Sequence, residues 1–186
     1  METQEALTQL AYLQELVAQT RLRAEEGYPY FLLWGVLWIV GYLGTIWLPH
    51  NLVWPVLCIL GGLISAIIGF KEVKKGQPVP PLLKKLGWLA LILFFAAGCL
   101  FALLLTLTRN GRLLNAYWPF QVGVIYLAAG VFMGRPMLFI GGWLIIVAVV
   151  GFFLPAPVHQ IWLAVGGGGG LALTGFLFRK SAKKDG

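Results

Sequence analysis

Six long apolar stretches, separated by short polar segments, dominate the chain. They cover residues 30–48, 52–70, 86–106, 117–133, 137–154 and 158–178. Each comes close to the roughly 20 residues that an α-helix needs to cross a hydrocarbon core about 30 Å thick. The runs are continuously apolar and lack the alternating polarity of membrane β-strands. The pattern therefore predicts an all-α, polytopic membrane protein whose six transmembrane helices form three hairpins.

The first 27 residues are more polar and predict a separate amphipathic helix. One side of this helix is apolar and consists of Ala6, Leu7, Leu10, Leu13, Val17 and Ala24. The favoured interpretation is a helix resting on the inner membrane surface or on the cytoplasmic ends of the bundle. A coiled-coil or partner-binding helix is the alternative, although about three heptads without a clean register give it little support. Its five glutamates do not fit a signal peptide, so no cleavage is expected. The expected domains are residues 1–27, a transmembrane domain over 28–178 and a basic cytoplasmic tail over 179–186.

The distribution of Lys and Arg predicts the orientation in the membrane. Cytoplasmic segments carry an excess of these residues. One set of segments holds twelve of the fourteen: Arg21, Arg23, Lys71, Lys74, Lys75, Lys84, Lys85, Arg135, Arg179, Lys180, Lys183 and Lys184. The other set holds only Arg109 and Arg112. Both termini are therefore expected on the cytoplasmic side.

Composition supports the same class of protein. With 59% hydrophobic and 11% charged residues, the chain has too little polar surface for a water-soluble globule. The net charge of +7 is explained by the orientation signal and by attraction to anionic lipid headgroups, not by nucleic acid. The lipid bilayer is thus the main expected partner. Short loops and unpaired cysteines favour a prokaryotic plasma membrane.

The first and last predicted hairpins resemble each other. Without gaps, residues 31–70 align with 137–176 at eleven identical positions in forty. The shared features include the Leu48-Pro49 turn, the glycine pair at 61 and 62, and the closing Gly69-Phe70. Because both hairpins start from the same side, they would be related by an axis along the membrane normal.

Small residues are expected to mediate helix packing, because lipid tails provide no hydrophobic drive for helices to associate. The predicted packing residues are Gly61, Gly62, Gly69, Gly166, Gly167, Gly168, Gly169, Gly170 and Gly175. The five consecutive glycines at 166–170 leave more than a helical turn without side chains. One interpretation is a central helix closely surrounded by neighbours or by a symmetry mate. Another is a local break whose backbone lines a solute or ion site.

Residues typical of catalysis are nearly absent. The histidines at 50 and 159 lie near predicted outer turns without a nearby Asp or Glu, so polar interfacial side chains are expected rather than metal ligands. Cys58 and Cys99 lie singly in different spans and are expected to be buried and unreactive. No enzymatic activity, metal or cofactor is therefore expected.

One polar group remains as a candidate site at the outer mouth. It consists of Arg109, Arg112, Asn115, Gln121 and His159, which together could bind an anion or a lipid headgroup. Ordinary loop polarity explains the same residues without a site.

Two functions from different classes are compatible with these features. The favoured hypothesis is a non-catalytic membrane accessory or interaction protein that packs with itself or with a membrane-protein partner. The alternative is a small carrier or channel for a neutral or hydrophobic solute.

Overall fold

The computed structural model describes residues 7–12, 27–73, 92, 95–100, 103, 107 and 111–182. Within these residues the chain is all-α, as predicted, and contains no strand. The helices are α1 (Tyr28–Gly44), α2 (His50–Val73), α3 (Gly111–Met133), α4 (Arg135–Phe153), α5 (Val158–Trp162) and α6 (Gly170–Ala182), with a π-helical segment (Leu163–Gly169) joining α5 to α6.

Three helical stretches are long and apolar enough to cross a membrane: Leu52–Lys71, Arg135–Phe153 and Val158–Lys180. Their surfaces carry large apolar side chains, among them Phe139 and Phe153, which are 77% and 74% exposed. Extensive apolar exposure of this kind is costly in water and suits a lipid environment. Membrane insertion is therefore supported by both sequence and structure.

The first helix ends earlier than predicted. α1 covers 17 residues and closes at Gly44, while residues 45–48 form a turn. Pro49 disfavours the α conformation at Leu48, the last residue of this turn, and so keeps the helix from resuming before α2. The Oγ1 of Thr45 donates to the carbonyl oxygen of Tyr42 at 2.7 Å and closes the helix end locally.

Most of the predicted third span, residues 86–106, and most of the predicted N-terminal helix lie outside the described residues, although residues 7–12 are helical. The six spans and the three-hairpin arrangement accordingly stay predictions.

α3 and α4 form a tight antiparallel pair. Gly134, whose φ of +92° lies in the region that favours glycine, is the single residue between them. Close to this turn, Gly130 of α3 approaches Leu138 of α4. Further from the turn, Gly123 of α3 approaches Ile145 of α4, as expected for an antiparallel pair.

α1 runs antiparallel to the π segment and α6. Gly35 faces Gly168 and Ala172, whereas Leu32, earlier in α1, faces Gly175, later in the chain. The helices therefore approach each other closely over about two turns.

The core lies between α1, α3, α4, the π segment and α6. Its side chains are Phe31, Trp38, Tyr42, Met137, Ile140, Leu144, Val147, Leu163, Ala164, Leu171 and Phe178. By contrast, only 6% of the Leu52–Lys71 stretch of α2 is buried, against 39% and 44% for the other two spanning stretches. Cys58 in α2 and Cys99 are both exposed, so the expectation of buried cysteines is wrong. Among the described residues, Gly61 and Gly69 of α2 face α1.

Candidate functional site

The glycine run is helical, in a wider π register than an α-helix. Gly168 lies where two backbones meet: a Cβ atom built on it would be 2.8 Å from both the carbonyl oxygen of Gly35 and the backbone nitrogen of Ile39. A Cβ on Gly35 would in turn be 2.6 Å from the nitrogen of Ala172. Any side chain at either glycine would push α1 away from this segment.

The other glycines of the run have different surroundings. A Cβ on Gly166 would meet Val147 at 3.0 Å, one on Gly167 would meet Trp38 at 3.2 Å, and one on Gly170 would meet the indole of Trp143 at 2.8 Å. Gly169 has nothing within 4 Å. The run is thus surrounded by α1 and α4 of the same chain on most sides.

The remaining predicted packing glycines also differ from one another. A Cβ on Gly61 would come within 2.6 Å of Leu37, one on Gly69 within 3.2 Å of the Tyr30 hydroxyl, and one on Gly175 within 2.9 Å of Leu32. Gly62 is exposed and has nothing within 4 Å. Of the three predicted packing glycines on α2, Gly62 is therefore the one beside which a further helix has room to pack.

Three hydrogen bonds from side chains to backbone carbonyls join α4 to the last part of the chain. The α4 residues in these bonds are Trp143, Val147 and Gly151. They are spaced four residues apart and therefore lie on one face of the helix. The Trp143 indole donates to Gly166 O at 2.8 Å, and the Trp162 indole donates to Val147 O at 2.9 Å. The third bond joins His159 Nδ1 to Gly151 O at 2.6 Å. Each one satisfies a polar atom that would otherwise be costly in hydrocarbon.

The end of the bundle that contains Asn115, which we call the Asn115 end, holds two buried polar residues. Asn115 and His159 are 9% and 1% exposed. The hydroxyl of Tyr42 on α1 donates to the backbone oxygen of Asn115 at 3.1 Å, which ties α1 to α3. His159 is tied to Gly151 on α4. His159 is thus a buried, hydrogen-bonded side chain of the bundle, and its expected place at the membrane interface stays a prediction.

The predicted outer-mouth residues have unequal positions. Arg109 lies outside the described residues, and Arg112 is exposed at the first turn of α3. Gln121 is half-buried further along α3, beside Gly98. The hydrogen bonds at Asn115 and His159 lead to Tyr42 and Gly151 rather than to each other. Binding of an anion by these residues stays a prediction.

In chemical terms, this end of the bundle combines buried hydrogen-bond acceptors with the exposed charge of Arg112. His159 Nε2 and Gln160 Oε1 are buried and have no hydrogen-bond partner among the described residues. Within the same part of the chain, no group of three or more His, Cys, Asp or Glu side chains could hold a metal ion.

Sequence reasoning missed the structural roles of Tyr42, Trp143 and Trp162. A signal for Trp143 did exist, because it lies well inside an apolar run, and an indole N–H within hydrocarbon needs an acceptor. The acceptor itself, a backbone carbonyl of another helix, has no sequence signature.

Comparison of the chain with protein-family models, curated proteins and solved structures finds no match.

Proposed function

We propose that the protein is a non-catalytic integral membrane interaction protein, with six spans and cytoplasmic termini, that packs through α2 against a membrane-embedded helix of a second copy or of another protein. The observation that carries this proposal is the low burial of α2, 6% of its spanning stretch. Among the described residues, little of the chain covers this helix, which leaves its surface for a partner.

A comparison of equivalent glycines in the repeat supports the choice of Gly62 as the contact point. Gly62 aligns with Gly168, and Gly35 aligns with Gly141. Gly35 packs on the backbone at Gly168, while Gly141 packs on the backbone at Gly123, with a built Cβ 2.8 Å from the partner's carbonyl oxygen in both cases. In both of these helix–helix contacts, two glycines meet, and the two helices belong to different predicted hairpins. Gly62 is the corresponding residue of α2, and no described residue lies within 4 Å of a Cβ built on it.

The chemistry of a partner follows from these two helix–helix contacts. Lipid can cover Gly62, but it gains nothing from the missing side chain, whereas a helix with a small residue can approach until the backbones touch. The proposed partner is therefore an apolar transmembrane helix that carries Gly, Ala or Ser at the contact.

A matched pair of variants tests the proposal. Gly62 and Gly142 both have nothing within 4 Å, so Gly62→Leu and Gly142→Leu add the same side chain to open positions on α2 and α4. We expect both variants to remain folded, and Gly62→Leu alone to lose association. Self-association can be measured by energy transfer between labelled copies in liposomes. It can also be measured by oxidative cross-linking at Cys58, which is exposed one turn before Gly62, with Cys99 replaced by Ser.

Association with another protein is measured by comparing the proteins that co-purify with wild type and with the two variants. A protein that is monomeric in liposomes and has no partner sensitive to Gly62→Leu would contradict the proposal.

A small carrier or channel for a neutral solute is the second candidate. It is favoured by a specific observation, the π segment within a spanning stretch, because π-helical turns inside α-helices are frequent at functional sites. This function predicts solute flux that does not require association through α2.

A further inference from the structure

The imidazole of His159 is held in one tautomer. Its Nδ1 lies 2.6 Å from the carbonyl oxygen of Gly151. A carbonyl oxygen can only accept a hydrogen bond, so Nδ1 must carry the proton and donate it. In the neutral ring the other nitrogen, Nε2, is then an acceptor with a free lone pair.

This acceptor is enclosed by protein and unsatisfied. His159 is 1% exposed, and Nε2 has no hydrogen-bond partner among the described residues. Buried polar atoms of this kind are rare, and each calls for a bound molecule or a functional reason. The hydrogen bond from Nδ1 fixes the orientation of the ring. The other nitrogen, Nε2, therefore has a fixed position in which it can accept a hydrogen bond from a ligand.

The surroundings decide which class of ligand fits. The next residue, Gln160, also has a buried Oε1 without a partner among the described residues. Glu72 is the only acidic residue in the described part of the chain. It lies near the C-terminal end of α2, which is the end remote from Asn115. Because Nε2 of the neutral ring is an acceptor with a free lone pair, it repels the lone pairs of an anion and binds a hydrogen-bond donor.

We propose that the buried Nε2 of His159, oriented by Gly151 O, is the binding group for a small uncharged molecule that donates an O–H or N–H hydrogen bond. This site lies on α5 against α4 and is separate from the α2 surface around Gly62, so it does not depend on the packing function. This ligand differs in class from the anion or lipid headgroup considered for the outer-mouth residues, because the atom that His159 makes available is an acceptor. In the absence of solute, water can take the same place.

Nuclear magnetic resonance of the histidine side chains tests the proposal directly. The chain has only two histidines, so protein labelled with ¹⁵N-histidine and carrying His50→Gln gives the ring nitrogens of His159 alone. We expect a protonated Nδ1 and an unprotonated Nε2. Titration with methanol, an O–H donor, or formamide, an N–H donor, should shift the Nε2 resonance saturably. Acetonitrile is similar in size but has no comparable donor and should not do so, and nor should inorganic phosphate.

Two variants separate the roles of the ring nitrogens. His159→Asn keeps a donor near the position of Nδ1 and removes the Nε2 acceptor, whereas His159→Gln keeps an acceptor near the position of Nε2. Thermal stabilisation by methanol or formamide, relative to acetonitrile at equal concentration, should disappear in His159→Asn and persist in His159→Gln. The resonance titration needs only the wild-type residue at 159, so the proposal is tested even if a variant does not fold.

Three results would overturn the proposal: a proton on Nε2, a response to phosphate instead of the donors, or a cross-peak to water alone that neither donor alters. Self-association through Gly62, measured in the same samples, should be unaffected by His159→Asn. Failure of one proposal therefore leaves the other standing.

Discussion

The indole nitrogen of Trp143 lies 2.8 Å from the carbonyl oxygen of Gly166, and this bond joins α4 to the π segment. The same carbonyl also accepts the backbone N–H of Gly170. A carbonyl oxygen has two lone pairs and can accept both bonds. The indole can reach it because Gly170 carries no side chain, and a Cβ on Gly170 would lie 2.8 Å from the indole nitrogen. The glycine run thus gives a neighbouring side chain access to its backbone as well as allowing helices to pack closely.

Replacing Trp143 by Phe should destabilise the protein moderately. The variant keeps an aromatic side chain but loses the bond to Gly166, and such bonds in membrane proteins contribute about 0.6 to 1.7 kcal/mol. Because Gly166 O keeps the bond from Gly170, no backbone acceptor is left unsatisfied. Reversible unfolding in mixed micelles measures the change. Trp47, which is 77% exposed, provides the control, and Trp47→Phe should have little effect. Equal losses in the two variants would mean that the indole bond does not contribute.

Alanine at Gly168 and at Gly169 should have opposite effects on stability. A Cβ at 168 would clash with the backbone of Gly35 and Ile39, whereas a Cβ at 169 meets nothing. We expect Gly168→Ala to cost about 1–3 kcal/mol, as overpacked sites typically do. Gly169→Ala should be neutral or stabilising by up to about 1 kcal/mol, from the better helix propensity of alanine. The two changes are adjacent and identical in chemistry, so their difference isolates packing.

Gly168→Leu carries the same comparison further and should separate α1 from the π segment. If the glycines instead formed a solute path, this larger change would leave thermal stability intact and abolish flux. Unfolding measurements and a liposome flux assay on the same variant distinguish the two outcomes.

Features fixed by length and apolarity were predictable from the sequence. Leu52–Lys71, Arg135–Phe153 and Val158–Lys180 match three predicted spans closely, because continuous apolar runs of this length have few alternatives. The surroundings of particular residues were not predictable in the same way. The burial of His159 depends on how close α4 comes to α5, and the exposure of Cys58 depends on how far α2 lies from the core. Both distances are set by packing between helices that sequence periodicity does not encode.

Cysteine labelling should reveal opposite sides of the membrane at Gly76 and Gly111. Gly76 follows α2, and Gly111 begins α3 at the Asn115 end. The twelve Lys and Arg residues on one set of segments predict that the side of Gly76 is cytoplasmic. Cys58 and Cys99 are both exposed and must first be replaced by Ser to remove background labelling. In intact cells, a membrane-impermeant thiol reagent should then label Gly111→Cys and not Gly76→Cys, while both should react after permeabilisation. The reverse pattern in intact cells would invert the orientation and place the basic segments outside, where anionic headgroups would no longer explain their charge. Labelling of both positions in intact cells would instead contradict an odd number of membrane crossings between residues 76 and 111, and with it the predicted third span.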